Sequence, residues 1–592
     1  MKKTAIRPQA AASVDPDVPP PPMMPPEPGS RVVHGHFLAE PDLSGGARVH
    51  RPLIDGEESG GMPSLTPLLD PATGKTFARI AYATPSDIAG AVDASARAFS
   101  LWRGVSTQER ARKLRALAGR IRDEAWPLAD LIAQEQGKPR LEAFHHEVLP
   151  ALDHLKFIIE HAGRHHAGQG MDSRHPFYAH KQSLYLSAPV GVVALVTPSP
   201  LPFALPLIQV AGALAMGNAV VLKPSERTPL SGLRIGELCR DAGFPAGLVN
   251  VVPTPSGTTL HLVTNPQVDK VFLTGSSEAG RYIMAAAGSA LRPVVLSLGG
   301  KHPSVVAGDA DVGRAARGVV WGALANCGQN CGAVETVYVE ESIASQFIEE
   351  VLRQVDQVRV GSPRGDEFDM GPLQSADRRQ RVHGQVTEAV QAGARLLRGG
   401  EMPRGPGFYY PPTVLLDPPA DCRLMREETQ GPVLSIVVVD NIERGIMLAG
   451  DGDYALTASG WTRSQATAER LMTGLPAGVV TINDVLYSYG EPAATWSGHH
   501  GSGHGRNHGL QGLEEMCVRR FVSFDDRPAE SPLFAYPYDR EATRVAHASL
   551  RYLHGKGRLA RLAGLARLLL SKRFRSRMPV RRFVFGRARD GR

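Results

Sequence analysis

Gly328-Gln329-Asn330-Cys331 sets a thiol on a glycine-led turn, where backbone N–H groups can lower a cysteine pKa and leave the sulfur open to an electrophile. Most cysteines are small buried hydrophobes, so this one gains meaning only from its company. Cys327 completes a Cys-x3-Cys pair, but no second pair or matching histidines accompany it, and no metal site is expected. Lys223-Pro224-Ser225-Glu226 closes an apolar β-branched run, the place where open α/β sheets hold ligands. There a lysine reaches phosphate or ribose hydroxyls. The glutamate can accept from both adenosine ribose hydroxyls and would repel a 2′-phosphate, which favours NAD over NADP. Gly275-Ser276, after Val271-Phe272-Leu273, opens a helix whose free N–H groups suit a pyrophosphate. His499, His500, His504 and His508 share a glycine-rich loop, but their spacing fits no familiar metal-ligand set.

The elements that must position these residues are readable. Gly191 to Val196 and Ala219 to Leu222 are short buried strands, separated by Phe203 to Met216, apolar on nearly every face and therefore a crossover helix. Further short runs at 249–252, 270–273 and 294–296 extend the alternation, which predicts an α/β fold with helices on both faces of a parallel sheet. Helical patterns cover Ser86 to Trp102, Thr107 to Gln136 and Ala310 to Leu324. A second α/β pattern follows from about Thr336, with strands at Val433 to Val439 and Gly478 to Ile482.

A length of 592 residues divides into two to four units, and the hydrophobic share of 42% with 21% charged is that of a globular protein. No run reaches the roughly 18 apolar residues of a membrane span, and five scattered cysteines suit a reducing cytoplasm. Residues 1–60, rich in proline and lacking apolar periodicity, read as a disordered leader. The net charge of +7 is uneven, because residues 551–592 hold fourteen Lys and Arg against Asp590 alone. That basicity argues for an anionic partner of the tail and not for a nucleic-acid-binding body. From His554 to Arg577, leucines alternate with arginines as in a basic amphipathic helix suited to peripheral contact with anionic lipid.

Taken in order, Val190-Gly191-Val192-Val193, Gly217-Asn218 through Glu226, Leu273-Thr274-Gly275-Ser276, Leu298-Gly299-Gly300-Lys301, Gly328-Gln329-Asn330-Cys331, Gly371-Pro372-Leu373, Glu427-Glu428 with Gly431-Pro432-Val433, and Ser502-Gly503-His504-Gly505-Arg506 form an ordered set. The set resembles the aldehyde dehydrogenase superfamily, of which the chain looks like a divergent member, over roughly residues 65–525. The resemblance implies a Rossmann-type NAD-binding domain at 61–300 with part of 480–525, and a catalytic domain at 301–480. A return and oligomerisation segment at 481–525 and the basic tail at 526–592 complete the expected division. It also implies that Cys331 attacks an aldehyde, that the hemithioacetal gives up hydride, and that water hydrolyses the thioester. Lys223, Glu226 and Ser276 match cofactor contacts, Glu428 the residue holding the nicotinamide ribose, and Gly257 a glycine beside the adenine. Ser199, Ser225, Gly275 and Leu298 fall in the same motifs and join the expected cofactor set.

Four positions depart from the family pattern. Pro200 replaces an asparagine that donates to the oxyanion, a loss worth about 10²–10³ in rate. Ser297 replaces the glutamate that serves as general base, worth about 10²–10⁴. Gln430 replaces an aromatic residue beside the nicotinamide, and His500 stands at the family's late lysine. The leading expectation is a homo-oligomeric, NAD-dependent oxidoreductase acting on a small-molecule aldehyde, impaired in hydrolysis. The alternatives are an enzyme that passes the acyl group to coenzyme A, and a catalytically silent NAD-binding scaffold.

Overall fold

The computed structural model describes residues 48–166, 169–171, 175–178, 181–525, 531–578, 580 and 583. Most of the leader and the last residues of the tail lie outside this set. The leader is shorter than its composition suggested: Val49–His50, Leu53–Ile54 and Glu57–Glu58 are short paired strands, too brief to show a periodicity.

The described chain divides into two compact units, one of which, residues 33–163 and 189–518, contains two open sheets. The eight-stranded sheet has a parallel middle in the order Val294–Ser297, Lys270–Thr274, Val192–Val196, Ala219–Lys223, Val249–Val251. Gly503–His504 extends it antiparallel at one edge, and Leu53–Ile54 with Glu57–Glu58 at the other. The three central strands are buried along their whole length, as expected of apolar β-branched runs covered on both faces. The crossover helix Ala204–Ala215 is buried at all twelve positions. The chain begins at Val192–Val196, winds outward to Val249–Val251 and returns to Lys270–Thr274 on the other side of its start. The crevice between strands Val192–Val196 and Lys270–Thr274 is therefore a topological switch point, where open α/β sheets bind ligands beyond their carboxyl ends.

The seven-stranded sheet runs Arg395–Arg398, Thr413–Leu416, Val433–Val439, Val334–Glu340, His302–Val306, Thr457–Trp461, Val479–Ile482, and is parallel except for its first pair. Its core gathers Val319, Phe347, Leu415, Ile436 and Trp461. Thr107 to Gln136, which reads as one helix, is two: Thr107–Asp123 and Ala125–Gln136. Glu124 leaves the helical conformation at φ −110°, ψ 18°, and accepts from Arg234 Nε at 3.2 Å, a tertiary contact that no local pattern announces.

The other unit comprises residues 164–188 and 519–592 together with 1–32, which are not described. It holds most of a three-stranded sheet in the order Cys517–Phe524, Gln182–Pro189, Gln169–Met171. The tail is a set of three helices, Arg540–His554, Arg558–Leu570 and Lys572–Arg577, where one amphipathic helix over 554–577 was expected. Gly557 takes φ 82° at the break, a conformation that favours glycine. The tail has its own small core around Phe177, Leu533, Val545, Leu568 and Phe574.

Candidate active site

The helix Val312–Leu324 delivers the chain to the nucleophile loop, which begins with three left-handed residues, Asn326 (φ 55°), Cys327 (φ 57°) and Gly328 (φ 68°). Two of them carry a Cβ and cost about 1–2 kcal/mol each, so the surroundings must hold them in place. Asn326 N donates to Glu142 Oε1 at 2.6 Å, while its Nδ2 donates to Gln329 O at 2.7 Å and Pro200 O at 3.1 Å. Gln329 Nε2 returns a bond to Asn326 O at 3.1 Å, and Gln329 Oε1 accepts from Gln374 N at 2.9 Å. At Gly328 a Cβ would fall 2.0 Å from the carbonyl oxygen of Gly431, so only glycine fits.

Cys331 itself is half-buried and packs against the core that includes Tyr489 and Trp496. Its thiol is pushed up to about 12, first by burial and next by the carboxylate of Glu428. Its own backbone N–H and the Lys138 ammonium act in the opposite direction. The turn geometry thus does not by itself yield a thiolate, contrary to the expectation from the Gly-Gln-Asn turn, because desolvation outweighs the backbone donor. Cys327 is fully enclosed, with its thiol pushed up by burial and then by Glu142. All five cysteines are unpaired, so Cys327 and Cys331 form no disulfide.

Pro200 stands beside this loop as an acceptor. Its carbonyl receives Lys138 Nζ at 2.8 Å as well as Asn326 Nδ2. Lys138 is completely buried and paired with Glu147 at 2.7 Å, whose other oxygen accepts Phe203 N at 3.0 Å and Ala204 N at 2.9 Å. Glu147 therefore satisfies the start of the crossover helix, and Lys138 ties that start to the nucleophile loop. Glu142 sits nearby with Oε2 unpartnered, and burial raises its carboxyl to about 7. None of these four residues, Lys138, Glu142, Glu147 or Asn326, was found from sequence, since isolated charges and amides within helices or loops carry no motif.

Ser297 ends the strand Val294–Ser297, opposite Gly503, and its carbonyl accepts from Gly275 N at 3.1 Å. Leu298 N donates to Ser502 O at 3.0 Å, and the Leu298 side chain fills the space above Gly280. One residue on, Gly299 leaves room for Glu428: a Cβ there would lie 2.3 Å from Glu428 Oε2. Glu428 Oε1 accepts from Gln430 Nε2 at 2.7 Å, and Gln430 Oε1 in turn accepts from Arg378. Burial, and then the charge of Glu335, raises Glu428 to about 7. Glu335 is bound by Lys301 and by the backbone N–H groups of Thr429 at 3.0 Å and Gln430 at 3.2 Å. The amide at 430 thus orients the Glu428 carboxylate.

The other expected cofactor residues line the carboxyl ends of the parallel strands. Ser199 is buried just past Val192–Val196. Lys223 closes Ala219–Lys223, its ammonium pKa lowered by burial, with Glu226 acting against the shift. Ser225 Oγ accepts Arg227 N at 3.2 Å, and Glu226 Oε2 accepts Ser256 N at 3.0 Å, next to Gly257, where a Cβ would meet nothing within 4 Å. Gly275 and Ser276 lead into the helix Ser277–Ser289, with Ser276 Oγ accepting Ala279 N at 3.2 Å as its cap. A long dinucleotide fits this layout. Lys223 and Glu226 stand at one strand end, a helix N-terminus lies at the switch point, and Gly299 makes room for the carboxylate of Glu428, whose charge reaches the thiol.

The histidine loop does not form a cluster. His499 and His500 are exposed on a strand paired with Tyr454–Ala455, while His508 is buried against His154 and Tyr489. Among the described residues no group of three His, Cys, Asp or Glu is placed to hold a metal ion.

The aldehyde dehydrogenase family model matches residues 59–522. The chain is similar to lactaldehyde dehydrogenase of Escherichia coli strain K12, with 36% identity over 458 residues, covering 77% of this chain and 94% of that protein. The crystal structure of lactaldehyde dehydrogenase from Escherichia coli is similar with a TM-score of 0.78 at 34% identity, covering 81% of this chain and all 100% of that one. An NAD+ complex of an aldehyde dehydrogenase from Bacillus cereus is similar with a TM-score of 0.77 at 31% identity, covering 81% and 97%.

Proposed function

The chain belongs to the aldehyde dehydrogenase family, and we propose that it oxidises an aldehyde with NAD through a thioester on Cys331, with slow hydrolysis of that thioester. The observation that carries this reading is the arrangement of the nucleophile loop: Cys331 follows a strained turn held by Asn326, Pro200 and Gln329, within electrostatic reach of Glu428. We assign the cofactor to the eight-stranded sheet, residues Ser199, Lys223, Ser225, Glu226, Gly257, Gly275, Ser276, Leu298 and Glu428, and the nucleophile to the seven-stranded part. NAD over NADP is supported by the Glu226 carboxylate beside Lys223.

In this reading the Cys331 sulfur bonds the aldehyde carbon, and its own backbone N–H donates to the developing oxyanion. Pro200 adds no donor, because its ring nitrogen carries no hydrogen and its carbonyl faces Lys138 and Asn326. Bound NAD would supply the hydride acceptor. The thiol must lose its proton first, and the Glu428 carboxylate opposes that loss, because its negative charge raises the thiol pKa. Ser297 has no basic group to activate water near neutral pH, so hydrolysis is the step left without help. Five unpaired cysteines support a reducing compartment. A homo-oligomer is supported by the strand Cys517–Phe524, at the edge of its sheet, with Phe521 and Phe524 exposed.

The substitution at Ser297 also favours a second reading, in which a thiol such as coenzyme A takes the acyl group and no base for water is needed. Following NADH from purified protein, NAD and a panel of aldehydes, with and without coenzyme A, distinguishes the two. Slow steady turnover without coenzyme A is the expected result. A burst that turns over only with coenzyme A supports the acylating enzyme, and NAD binding with no NADH under either condition overturns both.

A further inference from the structure

The tail helix Arg558–Leu570 is apolar on two opposite sides, and only one of them is used within its own unit. Leu568 is fully buried and Gly564 is buried in close contact with the neighbouring helix Arg540–His554, where a Cβ would lie 2.5 Å from Tyr552 N. Leu565 and Leu569 pack against the same small core. The other side carries Leu559, Leu562 and Leu570, exposed by 84%, 59% and 78%, with Ala563 and Ala566 exposed among them. Positions 559, 562, 566 and 570 follow one another at intervals of three, four and four, which is one continuous stripe on a helix. Arg558 and Arg567 flank it, Arg561 is exposed at the helix start, and Lys556 and Lys572 are exposed just beyond its ends.

No acidic residue occurs between 556 and 578. Glu541, at the start of the preceding helix, is engaged with Ser571 Oγ and Arg573 N, both at 3.0 Å. The stripe therefore lies in an uncompensated positive rim, which decides what can cover it. A second copy of the same face would bring arginines against arginines. An anionic bilayer offers acyl chains to the leucines and headgroup phosphates to the arginines at once. Among the described residues no helix is long and apolar enough to cross a membrane, so the contact is one of lying on the surface.

We propose that the Leu559–Leu562–Ala566–Leu570 stripe, with its arginine rim, docks the protein on anionic lipid. This surface is independent of the proposed oxidation chemistry. The test is sedimentation of the full-length protein with vesicles of phosphatidylcholine alone and of phosphatidylcholine containing one third phosphatidylglycerol, at low and high salt. Binding is expected to the anionic vesicles only, weakening as salt rises. The triple variant Arg558→Gln, Arg561→Gln, Arg567→Gln is expected to lose affinity roughly a hundredfold and most of the salt dependence. Leu559→Ser with Leu562→Ser is expected to lose about tenfold or more while keeping the salt dependence. Unchanged melting temperatures show that both variants fold. Absence of binding, equal binding to neutral vesicles, or wild-type affinity in either variant overturns the proposal. So does concentration-dependent self-association that the leucine variant abolishes, which would make a second copy the occupant.

Discussion

Asn326 Nδ2 donates to the carbonyl of Pro200 at 3.1 Å, binding the loop before the nucleophile to the segment just past the first strand of the parallel sheet. The same carbonyl takes the Lys138 ammonium at 2.8 Å. Pro200 thus contributes its backbone to holding the site even though it has no side-chain donor.

Two substitutions at 326 separate strain from tethering. Asn326→Gly keeps the left-handed backbone but removes both side-chain bonds, whereas Asn326→Ala removes the bonds and leaves a Cβ in an unfavourable conformation. Thioester formation, read as the single-turnover NADH burst, is expected to slow by up to about thirtyfold in the glycine variant, since two bonds of roughly 1 kcal/mol each are lost. The alanine variant should slow further and melt a few degrees lower. Equal bursts in all three proteins would show that the tether does not position Cys331.

Restoring the two missing groups is expected to act on different steps. Ser297→Glu should raise steady hydrolytic turnover by up to about 10²–10⁴ with little change in coenzyme A-dependent turnover. Pro200→Asn keeps the carbonyl and adds a donor, so it should raise the burst rate by up to about 10²–10³. Steady-state and stopped-flow NADH traces check both, and a Ser297→Glu protein no faster than the parent would show that activation of water is not limiting.

Glu226→Gln removes the charge that would repel a 2′-phosphate while leaving an acceptor for Ser256 N. The ratio of kcat/KM for NADP to that for NAD is expected to rise by about tenfold or more. An unchanged ratio would mean that cofactor choice is made elsewhere.

Glu142 gives a pH-dependent prediction. Its carboxyl is raised from an ordinary 4.5 to about 7 by burial, so between these values the folded protein holds a proton that the unfolded chain releases. The stability associated with that proton is complete below about 4.5 and is lost as pH rises through 7. Glu142→Gln keeps an acceptor for Asn326 N but removes the titration. The variant should match the parent near pH 5 and melt about 2–4 °C higher near pH 8. Nearby His146 is lowered to about 4, again chiefly by burial, and is neutral across that window. An equal difference at both pH values would overturn the assignment.

Most of the scaffold was legible because its signals are local. Val433–Val439 follows from a run of β-branched residues, and Ala204–Ala215 from apolarity on every side. Where structure depends on distant partners, the sequence was silent. Pro127 and Gly557 mark the two helix breaks locally, but the bond from Arg234 to Glu124 and the close approach of Gly564 to Tyr552 are tertiary and carry no local pattern. Ser199, Lys223, Ser225, Glu226, Gly275 and Ser276 stand at or follow the carboxyl ends of parallel strands, yet the supporting charges did not stand out. The pair Lys138–Glu147 joins residues that look like ordinary surface charges, and burial alone makes it structural; Lys301 belonged to a motif, but its partner Glu335 did not. A turn motif likewise specifies donors near the Cys331 sulfur but says nothing of the burial and the Glu428 charge that push its pKa up.

The contact of Gly328 with the carbonyl of Gly431 makes one mechanical part of two segments far apart in the chain. Gly431 lies three residues beyond Glu428, and Gly328 three before Cys331. With only hydrogen between those backbones, neither loop can slide without pushing the other. A ligand that seats Glu428 thereby also sets the pitch of the turn bearing the sulfur, which would make filling the cofactor crevice a precondition for aiming the nucleophile.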